Sequence, residues 1–248
     1  MLKNSQDFER YYAYRLNWEF LPEPLLLTKD YIRRNIVDIF TMASNNNITR
    51  PFISKIVDLN IKKTVLQSGK LFIHIPKNAG TSISQLLYGR NLPHFTMGFY
   101  QKVSPDIVTA VESFAVIRNP AERFLSSCKF ILSKKTDAML VDRLTMHNFR
   151  GCFTIMDFLD RLSRGDDLIG TCLPFQKQSS YVNVDGKMAL DFLFSIENGY
   201  CSNIESYLGR KMPMLNKTNL DMEISNKEMK IIEEIYRDDF ELFDTYKS

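Results

Sequence analysis

The chain has 248 residues and a formal net charge of +3, and hydrophobic residues make up 44% of it. This length suits one domain with insertions or one domain with a small appendage, and the composition is that of an ordinary globular protein. The charge is too small to favour nucleic acid or an acidic membrane surface as a partner. No apolar run approaches the roughly 20 residues that a membrane span needs.

The N-terminus and the cysteines bear on the compartment. Residues 1–7 are polar and contain no apolar segment of the kind found in signal peptides. The cysteines lack the C-x-x-C spacing of common zinc and redox sites, and they are Cys128, Cys152, Cys172 and Cys201. We therefore expect free thiols that pack as small apolar residues, no metal site and a cytoplasmic protein.

The chain is predicted to divide into a helical N-terminal extension, residues 1–66, and an α/β domain, residues 67–248. In the extension, apolar residues recur at helical spacing after Ser5 and after Thr28, each of which suits a helix N-cap. From residue 70 onwards, short apolar strands alternate with helices, and this alternation favours a parallel sheet flanked by helices.

Several boundaries in the α/β domain are marked by capping residues. Gly89 suits a helix C-terminus, Asn119 suits the N-cap of the next helix with Glu122 completing a capping box, and Ser225 with Glu228 forms a second capping box. The predicted strands are 71–75, 114–117 and 190–196, and the predicted helices are 80–89, 120–133, 153–162, 201–208 and one helix that begins at 225 and continues past 243.

The segment 71–83 is predicted to be a buried strand, a tight loop and the start of a helix. The loop supplies a lysine, a glycine and two hydroxyl groups, in Lys77, Gly80, Thr81 and Ser82. Because a helix N-terminus presents free N–H groups, this combination is typical of a phosphate site. The lysine precedes the glycine, whereas the common nucleotide-binding loop has the order G-x-x-x-x-G-K-[ST]. The sequence therefore predicts an anion site of a different kind.

A second strand–helix junction offers complementary groups. Arg118 follows the second strand, and Ser126 lies two turns into the next helix. Ligands of open parallel sheets bind beyond the carboxyl ends of the strands, where we expect both junctions to lie. An arginine fork and a hydroxyl are good partners for a phosphate, so we expect an anion to bridge them.

Together the two segments, H-I-P-K-x-x-G-T-S and R-x-P-x-x-R-x-x-S, resemble the cofactor-binding segments of sulfotransferases that use 3′-phosphoadenosine 5′-phosphosulfate (PAPS). More narrowly, they are similar to carbohydrate sulfotransferases such as the heparan sulfate 2-O-sulfotransferases and bacterial relatives. Weaker similarity at 178–181, 195–198 and 215–218 extends the resemblance over residues 70–248, although Lys177 stands where many relatives have proline. The resemblance implies a P-loop-NTPase-like parallel sheet flanked by helices, with a helical N-terminal extension.

The resemblance also implies a role for each matched residue. Lys77 would contact the sulfuryl group and stabilise the leaving phosphate as negative charge develops on it. Arg118 and Ser126 would hold the 3′-phosphate of the nucleotide. The 5′-phosphate would be held at the helix start by Asn78, Ala79, Gly80, Thr81 and Ser82.

An acceptor hydroxyl needs a base, and His94 is the candidate. It lies between the two segments in Leu92-Pro93-His94-Phe95-Thr96, where relatives often carry H-x-T. A neutral imidazole suits removal of a proton from an alcohol near neutral pH. A structural role for His94 is the alternative, and His74 is expected to orient the loop.

The predicted function is transfer of a sulfuryl group from PAPS to a hydroxyl of a sugar, a glycan or a small-molecule acceptor, by in-line displacement and without a metal. Two other functions stay open: a phosphotransferase or nucleotide hydrolase of related fold, and a nucleotide- or glycan-binding protein without activity. The phosphotransferase would need a lysine after the glycine and an acidic partner for Mg²⁺ after the second strand, and the sequence offers neither.

Overall fold

The structure, a computed structural model, describes residues 61–133, 148–164, 168–196, 202–211 and 220–247. Its helices are α1 (Lys63–Ser68), α2 (Gly80–Tyr88), α3 (Met97–Val103), α4 (Pro105–Ala110), α5 (Pro120–Ser133), α6 (Ile155–Leu162), α7 (Leu168–Thr171), α8 (Ser179–Val182), α9 (Ser202–Leu208), α10 (Asn226–Ile235) and α11 (Arg237–Tyr246). Its strands are β1 (Lys70–Ile73), β2 (Glu112–Arg118), β3 (Asn183–Val184), β4 (Lys187–Met188) and β5 (Phe192–Ile196). A 3₁₀ turn covers Leu173–Phe175.

The chain divides into two compact units. In the first, the described residues are 61–71 and 98–112, where α1 packs against α4 and Lys62 pairs with Asp106. The second contains the described residues from 72 to 97 and from 113 onwards, and every candidate site residue lies in it.

Three strands form a parallel sheet in the order β1-β2-β5. In the pairing of β2 with β5, Phe114 lies opposite Phe192 and Arg118 lies opposite Ile196. The five residues from Ser113 to Ile117 are all buried, so β2 is covered on both faces, as expected for the centre of a parallel sheet. The predicted α/β class with a parallel sheet flanked by helices is confirmed.

One hydrophobic core lies against the sheet and includes one residue each from α2 and α9. Its members are Phe72, Ile83, Phe114, Val116, Ile196 and Ile204. A second core joins α5, α6, α10 and the 3₁₀ turn, and its largest members are Phe124, Phe149, Phe158, Phe175 and Tyr236. Because burial of one such ring contributes roughly 1.5–3 kcal/mol, this second core fixes α5, the helix that carries Ser126.

Capping residues set several of the helix boundaries as predicted. Gly89 ends α2 with a φ of 65°, and Asn119 Oδ1 accepts the N–H groups of Ala121 and Glu122 at the start of α5. Ser225 and Glu228 form the predicted capping box. A further capping box, between Thr154 and Asp157, begins α6.

Several details differ from the sequence prediction. β1 ends at Ile73 instead of Ile75, because the Ile75 N–H turns back to the Ile73 carbonyl at 3.1 Å. β5 begins at Phe192, after Asp191 has bonded to Ser113. The C-terminal helix is divided at Tyr236 into α10 and α11. The carboxylate of Glu122 pairs with Arg118 instead of completing a capping box.

Other predictions fall outside the described residues. They are the helices expected within 1–60, Cys201, and the segments of family similarity at 197–198 and 215–218. Among the cysteines that are described, Cys128, Cys152 and Cys172 are free, and Cys128 and Cys172 are buried. Within the described ranges, no helix combines the length and the apolar character needed to cross a membrane.

Candidate functional site

The loop after β1 has an unusual backbone. Lys77 has a φ of 71° and Ala79 a φ of 56°, while Asn78 between them has a negative φ. Positive φ costs a residue with a side chain about 1–3 kcal/mol and persists only where the surroundings impose it. Alternation of this kind along successive residues is the backbone form of anion-binding concavities. The alternating φ signs of the loop 76–79 are therefore those of an anion site. The positive φ values lie at Lys77 and Ala79, whereas the sequence pointed to Gly80.

Asn78 fastens this loop to β2. Its side chain is 1% exposed, and its Nδ2 donates to the Val116 carbonyl at 2.8 Å and to Gln178 Oε1 at 2.6 Å. A buried amide that donates twice fixes both its own rotamer and the backbone that carries it. The family resemblance implies that Asn78 helps to hold a 5′-phosphate, and the structure adds that its side chain attaches the loop to the neighbouring strand.

Arg123 fastens the same loop to α5. It is 2% exposed, and its Nε donates to the Pro76 carbonyl at 3.0 Å. Arg123 Nη2 and Asn78 Oδ1 are buried and have no hydrogen-bond partner among the described residues. Pro76 and Asn78 are therefore both held, and Lys77 lies between them.

Lys77 extends along α5. Its Nζ lies 4.2 Å from the centroid of the Phe130 ring, within the range of a cation–π contact. Glu122, Ser126 and Phe130 recur at every fourth position of α5 and so share one face of the helix. Lys77 is thus at one end of a stripe on α5 that has Ser126 at its middle.

Arg118 is at the other end of that stripe. It is the last residue of β2, and its Nε donates to Glu122 Oε2 at 3.0 Å. The two side chains are 27% and 40% exposed, so water screens the pair and it contributes no more than about 1 kcal/mol. Glu122 and Phe130 are about 12 Å apart along the helix axis at 1.5 Å per residue. The structure thus brings Lys77, Ser126 and Arg118 to one face of α5.

The helix start also contributes to the site. The Ser82 N–H donates to the Ala79 carbonyl at 3.0 Å, so this amide is already engaged in the first turn of α2. Ser82 is 4% exposed, whereas Thr81 is half-buried. Of the two hydroxyl residues, Thr81 is the one that solvent reaches more easily.

Gly80 lies at the position expected for an anion, and it also lies close to the ring of His74. A Cβ added at Gly80 would lie 1.9 Å from His74 Cδ2 and 2.2 Å from Nε2, so no larger residue fits unless the ring moves. His74 is 4% exposed, and its Nδ1 lies 3.1 Å from the Leu92 carbonyl. The glycine is therefore required by the packing of a histidine ring against the start of α2.

His94 packs against this ring at an interplanar angle of 52°. The two imidazole centroids are 4.0 Å apart, and His94 Nδ1 lies 2.7 Å from the His74 carbonyl oxygen. Because a carbonyl only accepts, His94 Nδ1 carries a proton, and in the neutral ring Nε2 is then the basic nitrogen. His94 is half-buried, so its tautomer is fixed while part of its surface stays accessible.

From the sequence, Gln178 could equally line the site or have a packed or surface role, and Asp239 was not singled out. Gln178 is fully buried, and its side chain bonds to both polar backbone groups of Arg118: Oε1 accepts its N–H at 3.0 Å and Nε2 donates to its carbonyl at 2.8 Å. Asp239, also fully buried, accepts the N–H groups of Gln178 and Ser179 at 2.7 and 2.8 Å. Burial raises the pKa of Asp239, while Arg123 and these two N–H bonds act in the opposite direction.

The other residues singled out near Gln178 are structural. Tyr181 is fully buried and donates to Gln176 Oε1, and burial raises the pKa of its hydroxyl. Lys177, the departure from the family pattern, pairs with Asp238 at 2.7 Å. In the described part of the chain, no group of three or more His, Cys, Asp or Glu side chains is arranged to hold a metal ion.

Comparison with known proteins returns no relative. No protein-family model, no curated protein and no solved structure matches this chain. The relation of the two segments to PAPS-dependent sulfotransferases therefore stays a prediction.

Proposed function

We propose that the protein is a PAPS-dependent sulfotransferase that acts on a hydroxyl of a sugar, a glycan or a small molecule. The observation that carries the proposal is the attachment of the 76–79 loop to β2 through Asn78 and to α5 through Arg123. This attachment brings the lysine of one segment and the arginine of the other to one face of α5. Two cationic groups at separate fixed positions suit a nucleotide with two separate phosphates.

The residues present fit such a donor. The φ values of Lys77 and Ala79 suit close approach of an anion, and the N-terminus of α2 favours negative charge. In the proposal the 5′-phosphate is held by the amides from Asn78 to Thr81 and by the Thr81 hydroxyl, and the 3′-phosphate by Arg118 and Ser126. The order strand, loop, helix around a parallel sheet also supports a P-loop-NTPase-like fold.

The donor supplies a sulfuryl group on a good leaving group, a phosphate that is already anionic. The acceptor oxygen forms a bond to sulfur while the bond from sulfur to the bridging oxygen of the 5′-phosphate breaks. The electron pair of that bond stays with the phosphate, and the proton of the acceptor hydroxyl goes to His94 Nε2. Lys77 stabilises the charge that develops on the bridging oxygen, and the products are a sulfate ester and 3′-phosphoadenosine 5′-phosphate.

The geometry of His94 supports its role as the base. A base needs an unprotonated nitrogen in a defined direction, and the bond from Nδ1 to the His74 carbonyl provides both conditions. The ring of His74, packed against that of His94, restricts rotation of the His94 ring. His74 is thus a positioning residue in this mechanism.

The test is a transfer assay with PAPS and a panel of hydroxyl acceptors, read out as release of 3′-phosphoadenosine 5′-phosphate. We expect release that depends on an acceptor, and we expect His94→Ala to reduce the rate by roughly 10²–10⁴. His94→Ala should bind the nucleotide as the wild type does, since His94 contacts no phosphate in this proposal.

Two outcomes would contradict the proposal. Turnover of ATP that requires Mg²⁺ would indicate a phosphotransferase or hydrolase. Tight binding of PAPS without transfer to any acceptor would indicate a binding protein.

A further inference from the structure

Gln178 connects both halves of the site. Its Oε1 accepts from Asn78 Nδ2 in the 76–79 loop and from the Arg118 N–H at the end of β2. Its Nε2 donates to the Arg118 carbonyl at 2.8 Å, so one side-chain amide bonds to both backbone polar groups of Arg118. With the side chain fully buried, these bonds do not compete with water.

Gln178 is itself held from the opposite side. Asp239 at the start of α11 accepts the Gln178 N–H at 2.7 Å and the Ser179 N–H at 2.8 Å. Buried charges are stable only when hydrogen-bonded or compensated, and the Arg123 guanidinium supplies opposite charge nearby. The position of Gln178 is therefore fixed by a buried carboxylate.

These contacts bracket Lys77. On one side of it Pro76 is held by Arg123, and on the other Asn78 is held by Gln178. Gln178 also determines where the backbone of Arg118 lies relative to Asn78. A change at Gln178 would leave each cation in place on its own segment and would alter the separation between the segments.

We infer that Gln178 is a positioning residue that sets the separation between the Lys77 loop and Arg118, and that it thereby gives the site its selectivity for nucleotides phosphorylated at both the 3′ and 5′ positions. This inference rests on the proposed function, because it assigns one phosphate to each segment. A ligand with a single phosphate contacts one segment, so its affinity does not depend on the separation between the segments. The affinity of a ligand with two phosphates does depend on this separation.

The test compares three ligands: 3′-phosphoadenosine 5′-phosphate, adenosine 5′-phosphate and adenosine 3′-phosphate. Their affinities are measured by calorimetry for the wild type and for Gln178→Met, which keeps the length of the side chain and removes its hydrogen bonds. We expect affinity for the bisphosphate to fall by about tenfold or more, as for a buried network that loses its partners, and both monophosphate affinities to change by less than about threefold.

Gln176→Met is the matched control. Gln176 lies two residues earlier, donates to the Gly170 carbonyl and accepts from the Tyr181 hydroxyl, and has no bond to either site segment. Its substitution removes two side-chain hydrogen bonds, whereas Gln178→Met removes three, and Gln176 is only half-buried. We therefore expect a smaller loss of thermal stability with unchanged selectivity. If Gln178→Met does not fold, Gln178→Glu keeps the shape and the acceptor oxygen and removes the donor to Arg118, and we expect it to lower the selectivity in the same direction.

The outcomes distinguish failure of the proposed function from failure of the inference on Gln178. A wild-type protein without preference for the bisphosphate overturns the proposed function and this inference with it. A wild type that has the preference, together with a Gln178 variant that retains it or that weakens all three ligands equally, overturns the inference alone.

Discussion

Lys77 and Phe130 form a cation–π contact in which the lysine Nζ lies 4.2 Å from the ring centroid. This contact directs the ammonium group along α5 towards the face that carries Ser126, instead of into open solvent. A lysine held in this way loses less conformational freedom on binding an anion, and this lowers the cost of its use in the transition state. The strained backbone at Lys77 and the contact with Phe130 thus both fix the lysine that stabilises the leaving phosphate in the proposed mechanism.

Replacement of Lys77 by methionine should reduce transfer by roughly 10²–10³, because a preorganised positive charge at the leaving group is lost. The rate is measured in a single turnover with saturating PAPS, so that weaker binding does not contribute. Lys187→Met, at an exposed lysine of the β3–β4 hairpin, is the control and should have no effect. Full activity of the Lys77 variant would remove this residue from the mechanism.

Replacement of Arg118 by alanine should weaken binding of 3′-phosphoadenosine 5′-phosphate and leave adenosine 5′-phosphate unaffected. The expected loss is about 1.5–3 kcal/mol, the contribution of a charge-assisted hydrogen bond. Gln178 bonds to the backbone of Arg118, so removal of the side chain leaves the position of the strand end intact. Calorimetry measures both affinities, with Arg150→Ala at an exposed arginine as the control. Equal weakening of both ligands would show that Arg118 does not read the 3′-phosphate.

Replacement of Gly80 by alanine should destabilise the fold by about 1–3 kcal/mol, as expected for overpacking against the His74 ring. Urea unfolding measures the loss. A double-mutant cycle with His74→Ala isolates the cause, because removal of the ring should cancel most of the effect of the added methyl group. Additive losses in the cycle would mean that the two residues do not meet. Gly89→Ala is a contrasting control, since nothing lies within 4 Å of its Cβ position and its cost arises from a φ of 65°.

Asp191 should make stability depend on acid pH. Its carboxylate accepts the N–H and the hydroxyl of Ser113, each at 2.7 Å, and these bonds lower its pKa below the usual 3.8. A carboxyl with a lowered folded-state pKa stabilises the fold above its unfolded-state pKa, and this contribution is lost as the pH falls through the folded-state pKa. Unfolding free energies of wild type and Asp191→Asn should therefore differ at neutral pH and converge as the pH falls through the lowered folded-state pKa of Asp191. Asp160→Asn, at an exposed position on α6, is the control. A difference in unfolding free energy between wild type and Asp191→Asn that stays constant with pH would contradict this explanation.

The local parts of the fold were predictable from sequence because their signals lie within a few residues. Asn119, Gly89 and the Ser225–Glu228 box follow from capping chemistry, and the segments 76–82 and 118–126 follow from a strand that runs into a helix. The sequence placed the candidate residues on the right elements for the same reason.

The features of the site that could not be predicted from the sequence depend on contacts between residues far apart in the chain. Gln178 and Asp239 are 61 residues apart, and nothing near either one indicates the other. Gly80 suggested an approach to a phosphate, whereas its closest neighbour is a histidine ring. The positive φ values fall on Lys77 and Ala79, because bonds at Pro76 and Asn78 impose the turn and no flexible residue is needed.

We propose that two segments hold one nucleotide by phosphates at its 3′ and 5′ positions. Calorimetric titration of the wild-type protein with 3′-phosphoadenosine 5′-phosphate and, separately, with ATP and Mg²⁺ tests this proposal. We expect binding of the bisphosphate to be tighter by about tenfold or more, because a charge-assisted contact to the 3′-phosphate is absent with ATP. Equal affinities, or tighter binding of ATP, would contradict it.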